Sequence, residues 1–302
     1  MNAPSDNVIE TRRLSKSFGD VHAVRALDLN VQRGEIFGFL GPNGAGKTTT
    51  IRMLLDFIRP SSGEAVVLDG SGADERVRKR IGYLPGDLHL PARYTGNELF
   101  ELYAALRAGC ERKRTDDLVE RFGLDPTRTI GELSTGNRRK VGIVQAFMHR
   151  PELLILDEPT SGLDPLLQAE FQHLMREAVD DGATVFLSSH VLPEVDRIAD
   201  RVAILRDGRL VVVSTIDELR EKARQVLEFF VNGDANTAAR AFEGVPGVVE
   251  VSVEDDAIRV VSEGSIDAVV KAAATIEVRR MVSLDHDLEQ LFLSFYREDQ
   301  PE

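Results

Sequence analysis

At 302 residues, 42% of them apolar and 29% charged, the chain has the material for one large globular domain and a smaller one, with a core of ordinary size. A formal net charge of −13 argues against the basic surface that nucleic-acid binding needs, so no nucleic-acid partner is expected. The lone Cys110 leaves no intrachain disulfide or cysteine-rich metal site, no run approaches the ~18 apolar residues of a membrane span, and Met1 to Asp6 lacks the pattern of a secretory signal.

In chain order, Val8 to Leu14 and Ala26 to Val31 read as strands, with Arg33-Gly34 as a turn. Glu35 to Leu40 is a short apolar strand, Gly41 to Thr48 a glycine-rich loop, and Thr48 to Ile58 a helix. Pro60-Ser61-Ser62-Gly63 breaks the chain before a strand over Glu64 to Leu68 and a turn at Asp69-Gly70. The stretch from Asn97 to Met148 is mostly helical, with apolar residues at helical spacing in Glu98 to Leu106 and in Leu118 to Phe122. Leu153 to Leu156, Thr184 to Leu187 and Val202 to Leu205 are apolar runs of strand length, as parallel strands buried on both faces require, and Pro165 to Asp180 is a helix between the first two. The expected fold of residues 1–220 is therefore α/β, a mostly parallel sheet with some antiparallel strands and a helical insertion over about 87–150.

A linker is expected near Leu219 to Arg224, followed by a second domain over 225–302. Its strands are read at Val226 to Val231, Val248 to Val253, Ala257 to Val261 and Glu277 to Val282, its helices at Thr237 to Phe242, Ile266 to Ala274 and Leu288 to Tyr296. The order β-α-β-β-α-β is that of a small ferredoxin-like α+β unit. Most of the acidity lies here, with 16 acidic and 6 basic residues from Gln225 onward against 34 and 31 before it.

The loop Gly41-Pro42-Asn43-Gly44-Ala45-Gly46-Lys47-Thr48 spells G-x-x-x-x-G-K-[ST] between a strand and a helix. Glycines let consecutive N–H groups turn inward on phosphate oxygens, and the helix N-terminus adds its dipole. Lys47 supplies a point charge for the terminal phosphates and Thr48 a hydroxyl for Mg²⁺, so the loop predicts nucleoside triphosphate binding. That alone fits GTPases, kinases and ATPases. The apolar run ending in Asp157-Glu158 narrows the field, since Asp157 is placed to hold Mg²⁺ through water and Glu158 to polarise the water that attacks the γ-phosphate.

The third element is Leu133-Ser134-Thr135-Gly136-Asn137, followed by Arg138-Arg139-Lys140 and an amphipathic helix reaching Phe147. Together with Ser161-Gly162-Leu163-Asp164 and His190, these motifs make the chain resemble the ATP-binding subunit of an ABC transporter over roughly Val8 to Leu219, in the family's order and spacing. The tail, closing on Leu288 to Tyr296, is more loosely similar to the accessory domain of subunits from drug- and antibiotic-resistance exporters.

The resemblance implies a P-loop NTPase that takes ATP and Mg²⁺ and pairs head to tail with a second ATPase subunit. It implies that Ser134 and Gly136 donate to the γ-phosphate bound across that interface, that Asp164 helps form the interface, and that His190 reaches the γ-phosphate. Phe18 stands where the family places an aromatic under adenine, and Thr49 joins Gly41 to Thr48 in the phosphate-binding set. Glu158, His190 and Lys47 are the implied catalytic residues, Thr48 and Asp157 the implied metal ligands. An integral membrane permease is the implied partner, holding the subunit at the cytoplasmic face of the membrane, with export of a drug-like or lipid-like substrate. Two departures matter: Thr135 and Asn137 replace the third and fifth residues of the common L-S-G-G-Q, and Gly86 stands where many relatives carry a glutamine that meets Mg²⁺ and the attacking water. The competing readings are an importer ATPase, a soluble ABC ATPase working on nucleic acid or the ribosome, and a non-enzymatic binding module.

Overall fold

The computed structural model describes residues 6–107, 110–222, 224–254 and 257–284. They divide into two compact units at the boundary between Val213 and Ser214. The first unit runs β1 (Asn7–Phe18), β2 (Val21–Gln32), β3 (Ile36–Leu40), α1 (Lys47–Leu54), β4 (Ser62–Val67), α2 (Glu75–Lys79) and β5 (Ile81–Leu84). It continues through α3 (Gly96–Leu106), α4 (Arg112–Arg121), α5 (Thr135–Phe147), β6 (Leu153–Asp157), α6 (Pro165–Asp180), β7 (Thr184–Ser189), α7 (Leu192–Asp196), β8 (Arg201–Arg206) and β9 (Arg209–Thr215).

Six strands form the central sheet in the order β5-β6-β7-β3-β8-β9. β3, β6 and β7 are buried at every residue and pair in parallel, which explains why their sequences are nearly continuous apolar runs rather than alternating ones. Phe186 of β7 stacks on Phe37 of β3 at 6.0 Å between ring centroids and tilts against Phe39 at 5.2 Å. Burying each such ring contributes ~1.5–3 kcal/mol, and the packed rings tie β3 to β7. The glycine-rich loop, Asp157-Glu158 and His190 all stand at the carboxyl edge of β3, β6 and β7.

A separate antiparallel sheet has the order β2-β1-β4. Its strands are longer than the apolar pattern predicts, because irregular pairing at Arg13 (φ 46°) and Ala26 (φ 45°) breaks the alternation without ending the ladder. Polar side chains close the gaps: Asp28 accepts from the Arg13 N–H at 2.7 Å and the Ser15 hydroxyl from the Ala26 N–H at 2.8 Å. α1 stops at Leu54, short of the expected Ile58, since Asp56 turns left-handed (φ 56°) and the Phe57 N–H folds back to the Arg52 carbonyl at 2.8 Å.

The expected linker at Leu219 to Arg224 is instead largely helix, α8 (Ile216–Lys222). Its cause is a capping box in Thr215-x-x-Glu218: the Glu218 N–H donates to the Thr215 hydroxyl at 3.1 Å and the Thr215 N–H to the Glu218 carboxylate at 3.2 Å. β10 (Gln225–Val231), α9 (Ala235–Ala239), β11 (Val248–Glu254), β12 (Ala257–Ser262), α10 (Asp267–Ala273) and β13 (Val278–Leu284) follow. The four strands are antiparallel in the order β11-β12-β10-β13, with Leu227, Phe229, Phe242, Ile258, Val260 and Val269 as their core. The closing helix expected over Leu288 to Tyr296 lies outside the described residues. Among those described, no helix is long and apolar enough to cross a membrane.

Candidate active site

The glycine-rich loop joins β3 to α1 and is fixed at both ends by backbone bonds, Gly41 N–H to Ser189 carbonyl at 3.3 Å and Thr50 N–H to Gly46 carbonyl at 2.9 Å. Gly46 sits at φ 107°, and a Cβ there would lie 2.4 Å from the Ala23 carbonyl oxygen, so the tight curl against β2 is open to glycine alone. Gly46 is also the N-cap of α1 and offers no side chain to its first-turn amides. Those amides keep their donors for an anion. Lys47 is only 6% exposed and folds back over the loop, donating to the Gly41 carbonyl at 2.6 Å and the Pro42 carbonyl at 3.4 Å.

β6 brings the two carboxylates to the same edge. Asp157 is 2% exposed and accepts from the Thr48 hydroxyl at 2.9 Å and the Ser188 hydroxyl at 2.5 Å. The chain then turns left-handed at Glu158 (φ 47°), a conformation that costs a non-glycine residue of order 1 kcal/mol or more. That turn aims the Glu158 carboxylate back at the loop, 3.2 Å from the Lys47 ammonium, with its other oxygen 2.8 Å from His190 Nδ1. Lys47, Thr48, Asp157, Glu158 and His190 therefore form one connected array drawn from three segments. Tyr83 stands beside it, its hydroxyl pushed up to about 12 by burial and secondarily by the Asp157 charge.

Two adjoining clefts open on this array. One of about 350 Å³ is lined by Asn43, Thr48, Tyr83, Gly86, Asp157 and His190 among others. The other, about 190 Å³, runs along the loop between Pro42 and Thr49 and includes Ala23. Asn43, Thr48 and Glu158 line both, and Thr49 lines the second, so the loop and the carboxylates face a common space. An anionic chain cradled by backbone amides, one buried ammonium and adjacent hydroxyl and carboxylate oxygens is what that space suits.

The other candidates lie elsewhere. Ser134 is the N-cap of α5, its hydroxyl accepting from the Asn137 N–H at 3.3 Å, and Gly136 approaches Gly162, whose carbonyl would lie 3.4 Å from a Cβ at 136. Neither lines the two clefts. Asp164 caps α6 through the Leu167 N–H at 3.0 Å, ahead of Pro165. Phe18 ends β1 with its ring 52% exposed and the Lys16 ammonium 5.0 Å from its centroid. A Cβ at Gly86 would lie 3.4 Å from the Asp157 carboxylate, so the position that lacks a side chain faces that acid directly.

One residue that braces the array is marked by no motif in the sequence. Arg139, on α5, is 4% exposed and spends its guanidinium on backbone carbonyls of the loop after β5 and the turn after β6. Burial lowers its pKa to about 10, and the nearby charges of Asp157 and Glu158 raise it against that burial. The only signal in the sequence is a basic residue at an otherwise apolar helical position, with Val141, Gly142 and Ile143 following.

Comparison with known proteins places this geometry in a family context. Residues 24–161 match the ABC transporter family. The chain is 36% identical over 259 residues to the bacitracin transport ATP-binding protein of Enterococcus faecalis, covering 84% of this chain and 83% of that one. It is 34% identical over 310 residues to the daunorubicin/doxorubicin resistance ATP-binding protein of Streptomyces peucetius, covering 97% and 94%. A solved ATP-binding subunit of an ABC transporter superposes with a TM-score of 0.67 at 32% identity, over 70% of this chain and 92% of that one.

Proposed function

The chain belongs to the ATP-binding proteins of ABC transporters, and from that premise we propose that it hydrolyses ATP to drive a separate membrane permease, as one of two ATPase subunits in an exporter of a drug-like or lipid-like substrate. The observation that carries the catalytic reading is Glu158, held by a left-handed turn between Lys47 at 3.2 Å and His190 at 2.8 Å at the mouth of the phosphate loop.

The loop amides and Lys47 bind and orient the phosphates. Glu158 accepts a proton from the water that attacks the γ-phosphorus, while His190, through Nδ1, holds that carboxylate in place. Lys47 offsets the charge that develops on the transferred oxygens. Thr48 and Asp157, a hydroxyl and a carboxylate 2.9 Å apart, form an oxygen donor set that suits a hard divalent cation. Mg²⁺ held there supplies Lewis-acid neutralisation of the phosphate charge. Phe18, with its exposed face, is the platform for adenine.

Ser134 and Gly136 stand at the end of α5, away from the clefts of their own chain, and this supports assigning them to the site of a second ATPase subunit, with Asp164 beside the same interface. The names of the relatives, which speak of bacitracin transport and of daunorubicin/doxorubicin resistance, support export over import. Attachment to a permease would hold the subunit at the cytoplasmic membrane face.

Glu158→Gln tests the central assignment. The variant is expected to bind ATP as the parent does and to lose magnesium-dependent turnover by about 10²–10⁴-fold, the range of a general base. Turnover at the parental rate would sink the assignment.

A further inference from the structure

A buried guanidinium is costly unless every N–H finds an acceptor, and Arg139 meets that condition without a single carboxylate. Its Nε donates to the Pro159 carbonyl at 3.0 Å. Nη1 donates to the carbonyls of Pro85 at 2.6 Å and Gly86 at 3.2 Å. Nη2 donates to the Asp157 carbonyl at 3.0 Å and also to that of Glu158. Five donors on the helix that begins at Ser134 meet five backbone carbonyls in two other segments, the loop that carries Gly86 and the strained turn that carries Glu158.

We propose that Arg139 is the positioning residue for hydrolysis in this chain, a strap that fixes the Glu158 turn and the Pro85–Gly86 loop to the helix bearing Ser134 and Gly136. The inference rests on Glu158 being the catalytic carboxylate. The carbonyl of the left-handed Glu158 accepts from Nη2. Loss of that bond lets the turn relax and swings the carboxylate from its place beside Lys47. The same side chain answers the gap at Gly86. With no side chain at 86 to reach toward Asp157, the loop is registered on the metal-side acid through its own carbonyl and Arg139 rather than through an amide. A shift of α5 then moves both at once, so the end of the helix assigned to a neighbouring site is mechanically tied to the carboxylate of its own.

Charge alone does not do this. A lysine keeps the cation but offers a point donor where the fork bridges two segments. Full-length Arg139→Lys and Arg139→Gln are therefore expected to lower kcat for ATP by at least about tenfold while the ATP KM and the Kd for a fluorescent ATP analogue stay within about threefold of the parent. Millimolar guanidinium is expected to restore part of the kcat of Arg139→Ala. Parental kcat in Arg139→Lys overturns the inference, and so does parallel loss of turnover and ATP binding in both variants, which is what a merely structural residue would give. Glu158→Gln, assayed alongside, separates the two claims. If it still turns over, the catalytic reading fails; if it is dead while Arg139→Lys is normal, only the strap fails.

Discussion

The two units differ in the charges they bury, although both carry exposed ion pairs. In the first, Lys47, Asp157 and Arg139 are buried to between 2% and 6% exposure, and each is bound by at least two partners. In the second, the pairs Lys271–Asp267 at 2.6 Å and Arg224–Glu263 at 2.9 Å lie in water, with side chains 52% to 74% exposed. Exposed pairs contribute little because solvent screens them and ordering long side chains costs entropy. Buried charges are expensive to desolvate, so a fold that keeps several of them at one sheet edge gains chemistry there rather than stability.

That contrast can be broken from its strong end first. Lys47→Ala removes a buried ammonium and should weaken ATP binding by about 100-fold, some 2.7 kcal/mol, with little change in the far-ultraviolet circular dichroism. Retained affinity by isothermal titration would mean the loop amides suffice alone. Next come the two cores. Phe186→Ala and Phe229→Ala each delete a fully buried ring and should each cost ~3–5 kcal/mol in urea unfolding. Only the first lies under the site, so the folded Phe229→Ala chain should hydrolyse ATP within about twofold of the parent.

A smaller effect concerns pH. Burial, and after it the neighbouring Arg107, pushes His149 down to about 3, so the folded chain carries it neutral while the unfolded chain protonates it near 6.5. The unfolded state then binds the extra proton, and stability is lost as pH falls from about 6.5 toward 3. His149→Gln should shrink the drop in urea midpoint between pH 7 and pH 4.5, and an unchanged drop would remove His149 from the account. Smallest of all is Lys271→Ala, which should move Tm by less than about 2 °C, as an exposed pair requires. A larger shift would erase the contrast from its weak end.

The phosphate loop and the Asp157-Glu158 strand end were legible because their chemistry is local. Glycine spacing, one lysine and an apolar run ending in acids each announce themselves within ten residues. The left-handed turn at Glu158 was not legible, since it comes from contacts with Ser188, His190 and Arg139 that lie far off in the chain. Arg139 was missed for the same reason: an arginine within a basic run on a helix is ordinarily solvent-facing, and only convergence of three segments makes it a hub. The helix at Ile216–Lys222 was missed although its capping box stood in the open, because a charged stretch between two domains is readily taken for a linker.

What separates this site from an ordinary nucleotide pocket is the assignment of Ser134 and Gly136 to a neighbouring subunit's ATP. Solution mass by light scattering, on Glu158→Gln with and without magnesium-ATP, tests that most directly when Ser134→Arg is added in the same background. The mass should double with ATP in Glu158→Gln and stay at that of one chain in the double variant, although both bind ATP. A single-chain mass for Glu158→Gln with ATP bound, or doubling that survives Ser134→Arg, would contradict it.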